Sequence, residues 1–293
     1  MPYGFPAGGN LLAFAKEPNP PDEWWPLVKG ALDADKAVHA EFVAKLIDSG
    51  APSLDHFSGK VREYKEYAKA LVAYYIGRAE SRDNLLNANE TFDWSRFFIQ
   101  QLVDDLEFSN IDKTQISVVT FNFDRSFEQA LLIRLSTVFS KSGKQVAEAI
   151  AHWNFIHVHG SLGQLPEFAT SGAGRPYQHN PDPERLKLDI QGIKLLDDAE
   201  ADSPEFQQAQ ELIQEADVLF ILGFAFHRVN CERVIPQQWS TEKSPPQIFG
   251  TTHGMSDGAI NKAKSHFRSG PSLTPYQGDC LSLLKHYEHI FSD

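Results

Sequence analysis

Cysteine is scarce in this chain: 293 residues contain two, Cys231 and Cys280, with no CxxC spacing. Neither a zinc ribbon nor a disulfide framework is indicated, and a reducing, cytoplasmic setting is expected. No apolar run approaches the roughly 20 residues that a helix needs to cross a bilayer. The first residues also lack the basic start and apolar stretch of a secretion signal, so no membrane partner is expected. Positive charge is short as well, with 27 Lys and Arg against 39 Asp and Glu and a formal net charge of -12. Lacking a local basic cluster, the chain is not expected to capture nucleic acid through its phosphates. Internal repeats and low-complexity tracts are missing too.

What is present is ordinary globular material, 42% hydrophobic and 23% charged, with enough apolar mass to fold unaided. The length suits one α/β domain spanning 1–293 with a helical insertion at 30–110. Within that insertion Val61, Tyr64, Ala68, Leu71 and Tyr75 recur on one face at helical spacing, as do Trp94, Phe98, Leu102 and Leu106 of "DWSRFFIQQLVDDL". Tyr64, Tyr67, Tyr74 and Tyr75 suit either a core or a subunit interface. After residue 115 short β-rich runs alternate with helices: "ISVVTF", "NFIHVHG", "GIKLL", "DVLFILGF" and "PQIFGTT", the last followed by two more helical segments. That alternation is the pattern of a parallel sheet with crossover helices. Ser203 and Pro204 mark a helix start. The polar stretch "FATSGAGRPYQHNPDPERL" reads as an excursion loop, and its "GAG" follows no strand, which makes it a poor phosphate loop.

Three apolar runs end in residues able to do chemistry. "TFNFD" delivers Asn122 and Asp124, where ligands lie in open parallel sheets, although Asp124 equally suits a cap for the following helix. "HVHGSLG" carries His157 and His159 on one strand face. No further ligands stand close enough to suggest a metal pair, so His157 suits a packed histidine. His159 suits a general base beside Gly160, whose missing side chain admits a ligand. "FILGFAF" ends at Gly223, and the turn through Ala225, His227 and Asn230 could receive phosphate on free backbone N–H groups or simply pack. Arg125, Glu128 and Arg228 read as helix-surface charges without a role.

Taken in order, "TFNFDRSFEQAL", "IHVHGSLGQLP", "ADVLFILGFAFHRVN" and "PQIFGTTHG" resemble the bacterial sirtuin-like (silent information regulator-like) domain family, in its NAD-hydrolysing anti-phage defence branch. "MPYGFPAGGNLL" resembles a fifth block. The resemblance implies a Rossmann-like parallel sheet and an NAD glycohydrolase that releases nicotinamide and ADP-ribose. It places the catalytic amide on Asn122 and the catalytic base on His159. It lines the nicotinamide and ribose end with Thr120 and Asp124, and carries Gly4, Pro6, Gly160, Gly223, His227, Asn230 and Thr251 over as cofactor-binding, with Thr252 beside the last. The second glycine expected in the "FILGFAF" turn is Ala225. NAD is expected as substrate, without a metal, and a homo-oligomer or an activating protein is the expected partner.

Two departures from the family shape these expectations. The four-cysteine zinc module of sirtuin deacylases does not follow "HGSLGQLP", so protein deacetylation is not expected. The family's first strand and "GAGxS" loop precede the block matched by "YGFPAGGNLL", and these residues contain neither, so weaker hold on the pyrophosphate is expected. That departure favours the alternative of a non-catalytic module that binds NAD or ADP-ribose and acts through protein contacts. ADP-ribosyl transfer is a third reading.

Overall fold

A computed structural model describes residues 5–6, 8–87, 93–104, 106–170, 172, 174–195, 203–240, 243–268 and 270–291. In chain order the elements are α1 (Gly8–Ala15), α2 (Trp24–Leu32), α3 (Lys36–Asp48), α4 (Leu54–Lys60), α5 (Lys65–Ala79), α6 (Arg82–Leu86), α7 (Trp94–Asp104), β1 (Ser117–Thr120), α8 (Ser126–Phe139) and α9 (Gly143–Ala149). They continue with β2 (Asn154–His157), α10 (Pro183–Gly192), α11 (Pro204–Glu215), β3 (Val218–Ile221), α12 (Arg228–Val234), β4 (Gln247–Thr251), α13 (Asp257–Ser265), β5 (Leu273–Tyr276) and α14 (Cys280–His286). The chain is mixed α/β and divides into two compact units. The first comprises Met1–Ala88, Thr120–Ala151 and His159–Glu200, and the second Asn89–Val119, His152–Val158 and Ala201–Asp293.

In the first unit, α5 is the central element. The one-sided helix expected here is instead buried from Tyr67 through Gly77, because α1, α2, α4 and α10 all pack on it; apart from Lys69 this stretch is apolar or tyrosine, and a helix of that kind belongs inside. Val61 is not part of it but follows the end of α4 with φ −117° and ψ 72°. Tyr64, Tyr67, Tyr74 and Tyr75 are all buried, which assigns them to the core. Trp24 Nε1 donates to the Tyr67 hydroxyl at 3.2 Å, and His39 Nδ1 lies 2.8 Å from the same oxygen. Burial pushes the His39 pKa down, so the ring packs as a neutral group.

The stretch read as one excursion loop gives way to α10 at Pro183. Asp182 supplies the cap, accepting from the Glu184 N–H at 2.8 Å, and proline occupies the first turn where its missing N–H costs nothing. Since α10 runs through Gly192, the expected strand "GIKLL" does not form over its described residues. Only Ile193 pairs, in an isolated antiparallel bridge with Gly160.

In the second unit β1 pairs with β2, and β3, β4 and β5 form a parallel sheet in that order. The register runs from Val218↔Gln247 to Ile221↔Gly250, and from Ile248↔Leu273 to Thr251↔Tyr276. The two helical segments expected after β4 are α13 and α14, and between them lies β5, a strand that was not expected. Its Pro275 reads as a breaker, yet proline is tolerated on an edge strand, and β5 is at the edge. Phe220 stacks on Phe249 at 5.5 Å between ring centres, joining neighbouring strands. Ser203 and Pro204 do open α11, although the Ser203 hydroxyl makes no capping bond. α7 spans Trp94–Asp104, so Leu106 lies beyond its end. Among the described residues no helix is long and apolar enough to cross a membrane.

Candidate functional site

The turn after β1 is built from its own side chains. Thr120 Oγ1 accepts from the Asn122 N–H at 3.1 Å, fixing the chain as it leaves the strand. Asp124 Oδ1 accepts from the Ser126 N–H at 3.1 Å and from the Ser126 hydroxyl. Asp124 thus closes the turn that leads into α8, one residue before the N-cap position. Arg125 occupies the N-cap position with φ −112° and ψ 28°, and its side chain makes no cap bond.

Arg125 and Glu128 were expected on the helix surface, and both are buried, at 2% and 9% exposure. The Arg125 guanidinium pairs with both oxygens of Glu80, at 2.9 Å from Nε and 2.5 Å from Nη2. Arg175 donates to the same carboxylate, and its Nε lies 3.2 Å from Asp189 Oδ1. Desolvation pushes the Asp189 pKa up to about 6, with the arginines offsetting only part of the rise. One sequence signal pointed here: a cation at a helix N-terminus opposes the helix dipole, so Arg125 needs a partner elsewhere. Arg228, by contrast, is exposed and pairs with Glu232 at 2.9 Å, as a surface charge does.

His159 is 9% exposed, and its ring centre lies 5.6 Å from that of Phe121, the neighbour of Asn122. Its carbonyl accepts from the Lys194 N–H at 2.8 Å. Gly160 has φ +74°, and a Cβ there would lie 1.9 Å from the Gly192 carbonyl oxygen. The space beside Gly160 is thus filled by the end of α10, which by itself demands glycine.

Within the second unit Gly223 (φ +63°) turns the chain after β3. Its N–H donates to Thr251 Oγ1 at 2.8 Å, and that hydroxyl lies 3.3 Å from the Ile221 carbonyl it donates to. Thr251 thereby ties the ends of β3 and β4. Phe226 also has positive φ (+51°) and is buried, with a ring atom 3.2 Å from where a Gly250 Cβ would stand. A left-handed phenylalanine is strained, and its packing on bare β4 backbone holds it there. Cys280 Sγ lies 3.7 Å from the Cβ position of Gly223, and burial pushes its thiol up to about 11. Thr252 is fully buried, donating from N and Oγ1 to the Tyr276 carbonyl at 2.8 and 3.0 Å.

The sequence-selected residues therefore fall into two groups. Thr120, Asn122, Asp124, His159 and Gly160 occupy two segments of the first unit that meet through Phe121 and His159. Pro6 is buried in that unit, and Gly4 lies outside the described residues. Gly223 and Thr251 meet directly in the second unit, His227 is the exposed N-cap of α12, and Asn230 is half-buried within that helix. A cavity of about 520 Å³ in the first unit is lined by residues including Glu80, Arg82, Glu167, Tyr177 and His179, and none of the selected residues lines it. Among the described residues no group of three or more His, Cys, Asp or Glu is placed to hold a metal. Comparison with family models, with curated proteins and with solved structures found no match in any of the three.

Proposed function

We propose that the protein is a sirtuin-like NAD glycohydrolase that cleaves NAD to nicotinamide and ADP-ribose, acting in the cytoplasm in defence against phage. The observation that carries the reading is the packing of Phe121 on His159, which supports a shared site for the Asn122 turn and the His159 segment. The β3–α12–β4–α13–β5 succession, with its parallel pairing, supports reading the sheet as Rossmann-like.

Cleavage of the N-glycosidic bond passes through an oxocarbenium-like state, and nicotinamide leaves as a neutral molecule, so no paired acid is needed. His159 accepts a proton from the ribose hydroxyl or the attacking water. Asn122 orients that water by hydrogen bonds. Asp124 adds negative charge near the ribosyl cation while Ser126 fixes its carboxylate. Within the second unit the Gly223 turn, closed by Thr251 and followed by His227 and Asn230, is a candidate for holding phosphate on backbone N–H groups. A homo-oligomer or an activating protein is the partner that this reading implies.

Incubation of the purified chain with NAD, beside its His159→Ala and Asn122→Ala variants, tests this reading by chromatography of the products. Nicotinamide and ADP-ribose from the parent alone are expected. Equal turnover by His159→Ala removes the catalytic assignment. A parent that yields no products but binds ADP-ribose tightly in calorimetry is a sensing module instead.

A further inference from the structure

We propose that Arg125 is a positioning residue that holds the Asn122 turn in register with the His159 loop; its catalytic consequence rests on the hydrolase reading above. The side chain turns away from the helix it opens. Beyond its two bonds to Glu80, Nη1 donates to the carbonyls of Gly163 at 3.2 Å and Arg175 at 2.6 Å, and Nη2 also donates to that of Pro176 at 3.3 Å. All five N–H donors of the guanidinium are thus used. Their acceptors lie on three segments: the C-terminal cap of α5, the His159–Gly163 loop, and the loop before α10. The last two are also joined directly, since the Arg175 N–H donates to the Gln164 carbonyl at 2.7 Å.

Two arguments separate positioning from plain stabilisation. Glu80 follows the C-terminus of α5 and Arg125 precedes the N-terminus of α8, so each charge stands at the helix end whose dipole disfavours it. Neither residue serves its own helix. Buried ion pairs also contribute little net stability compared with well-packed apolar residues. What a guanidinium supplies and an apolar pair does not is a rigid planar fork with fixed directions. Here the fork begins three residues after Asn122 and ends on a carbonyl four residues after His159, which sets the spacing between the two loops.

Arg125→Lys keeps the charge opposite Glu80 but cannot reach all of these acceptors at once. Arg175→Lys perturbs the same carboxylate without entering the Asn122 turn, and serves as the comparison. For Arg125→Lys, kcat for NAD is expected to fall roughly 10- to 100-fold with KM near the parent value, as misplacement of about 1 Å produces. Backbone amides of residues 120–126 and 159–164 should exchange hydrogen faster. Arg175→Lys should lose melting temperature to a similar degree and retain kcat. Parent-like exchange in Arg125→Lys, or equal loss of kcat in Arg175→Lys, overturns the proposal. If the parent does not hydrolyse NAD, the hydrolase reading falls and the exchange comparison alone decides positioning. Should Arg125→Lys not fold, the double replacement Arg125→Met with Glu80→Leu removes fork and buried charge together, and the same exchange measurement applies.

Discussion

Glu80 and Arg125 form a two-pronged ion pair across 45 positions of sequence, with side chains 0% and 2% exposed. Two segments that look unrelated in sequence are joined where water cannot screen the charges. Arg175 shares the carboxylate and Asp189 completes the group, which holds two cations and two anions, so the loss of any one residue leaves an unbalanced charge.

Removing one partner should therefore cost far more than removing both. Glu80→Leu or Arg125→Met alone is expected to destabilise the first unit by about 3–5 kcal/mol, because a buried charge is left without its counter-ion. Glu80→Leu combined with Arg125→Met should cost much less than the sum. Chemical denaturation of the three variants measures the coupling, and simple additivity would contradict the pairing.

Asp189 gives this group a pH dependence of defined sign. Its pKa rises in the fold from 3.8 to about 6, chiefly by desolvation, so the folded state holds this proton more tightly than the unfolded chain. The stabilisation is complete below pH 4 or thereabouts and is lost as pH rises through about 6. The shift of roughly two units bounds the effect at about 3 kcal/mol. Denaturation midpoints of the parent and Asp189→Asn, measured from pH 4 to 7, should converge or cross as the parent loses stability with rising pH. A parent that instead gains on the variant over that range refutes the assignment.

Gly160→Ala should destabilise the protein with no ligand present. At φ +74° the new methyl would stand 1.9 Å from the Gly192 carbonyl oxygen, a backbone atom. Backbone strain alone costs roughly 1–3 kcal/mol, and relief requires breaking the Gly160–Ile193 bridge. A thermal melt of the unliganded variant decides the matter: an unchanged midpoint means the space beside Gly160 is open after all.

Much of the scaffold was readable because it follows local rules. "SVVT", "NFIH", "VLFI" and "QIFGT" are strands, as their apolar runs predict, and the Ser203–Pro204 start of α11 is a matter of backbone geometry within a few residues. The same local rules misled at β5, where Pro275 is tolerated only because the strand lies at the sheet edge. They misled again at "GIKLL", where, among the described residues, only Ile193 pairs, in an isolated bridge with Gly160.

By itself the sequence determined the alternation of strands and helices, the start of α11 at Pro204, and the polar residues at three strand ends, since each depends on neighbours along the chain. Only the tertiary structure decided that α5 is enclosed on all sides, that Gly160 answers to Gly192, and that Arg125 and Glu80 are buried together. The physical reason is that burial and charge pairing are set by segments dozens of residues apart. The free energy of a buried guanidinium depends on where its carboxylate lies, and no short window of sequence contains both.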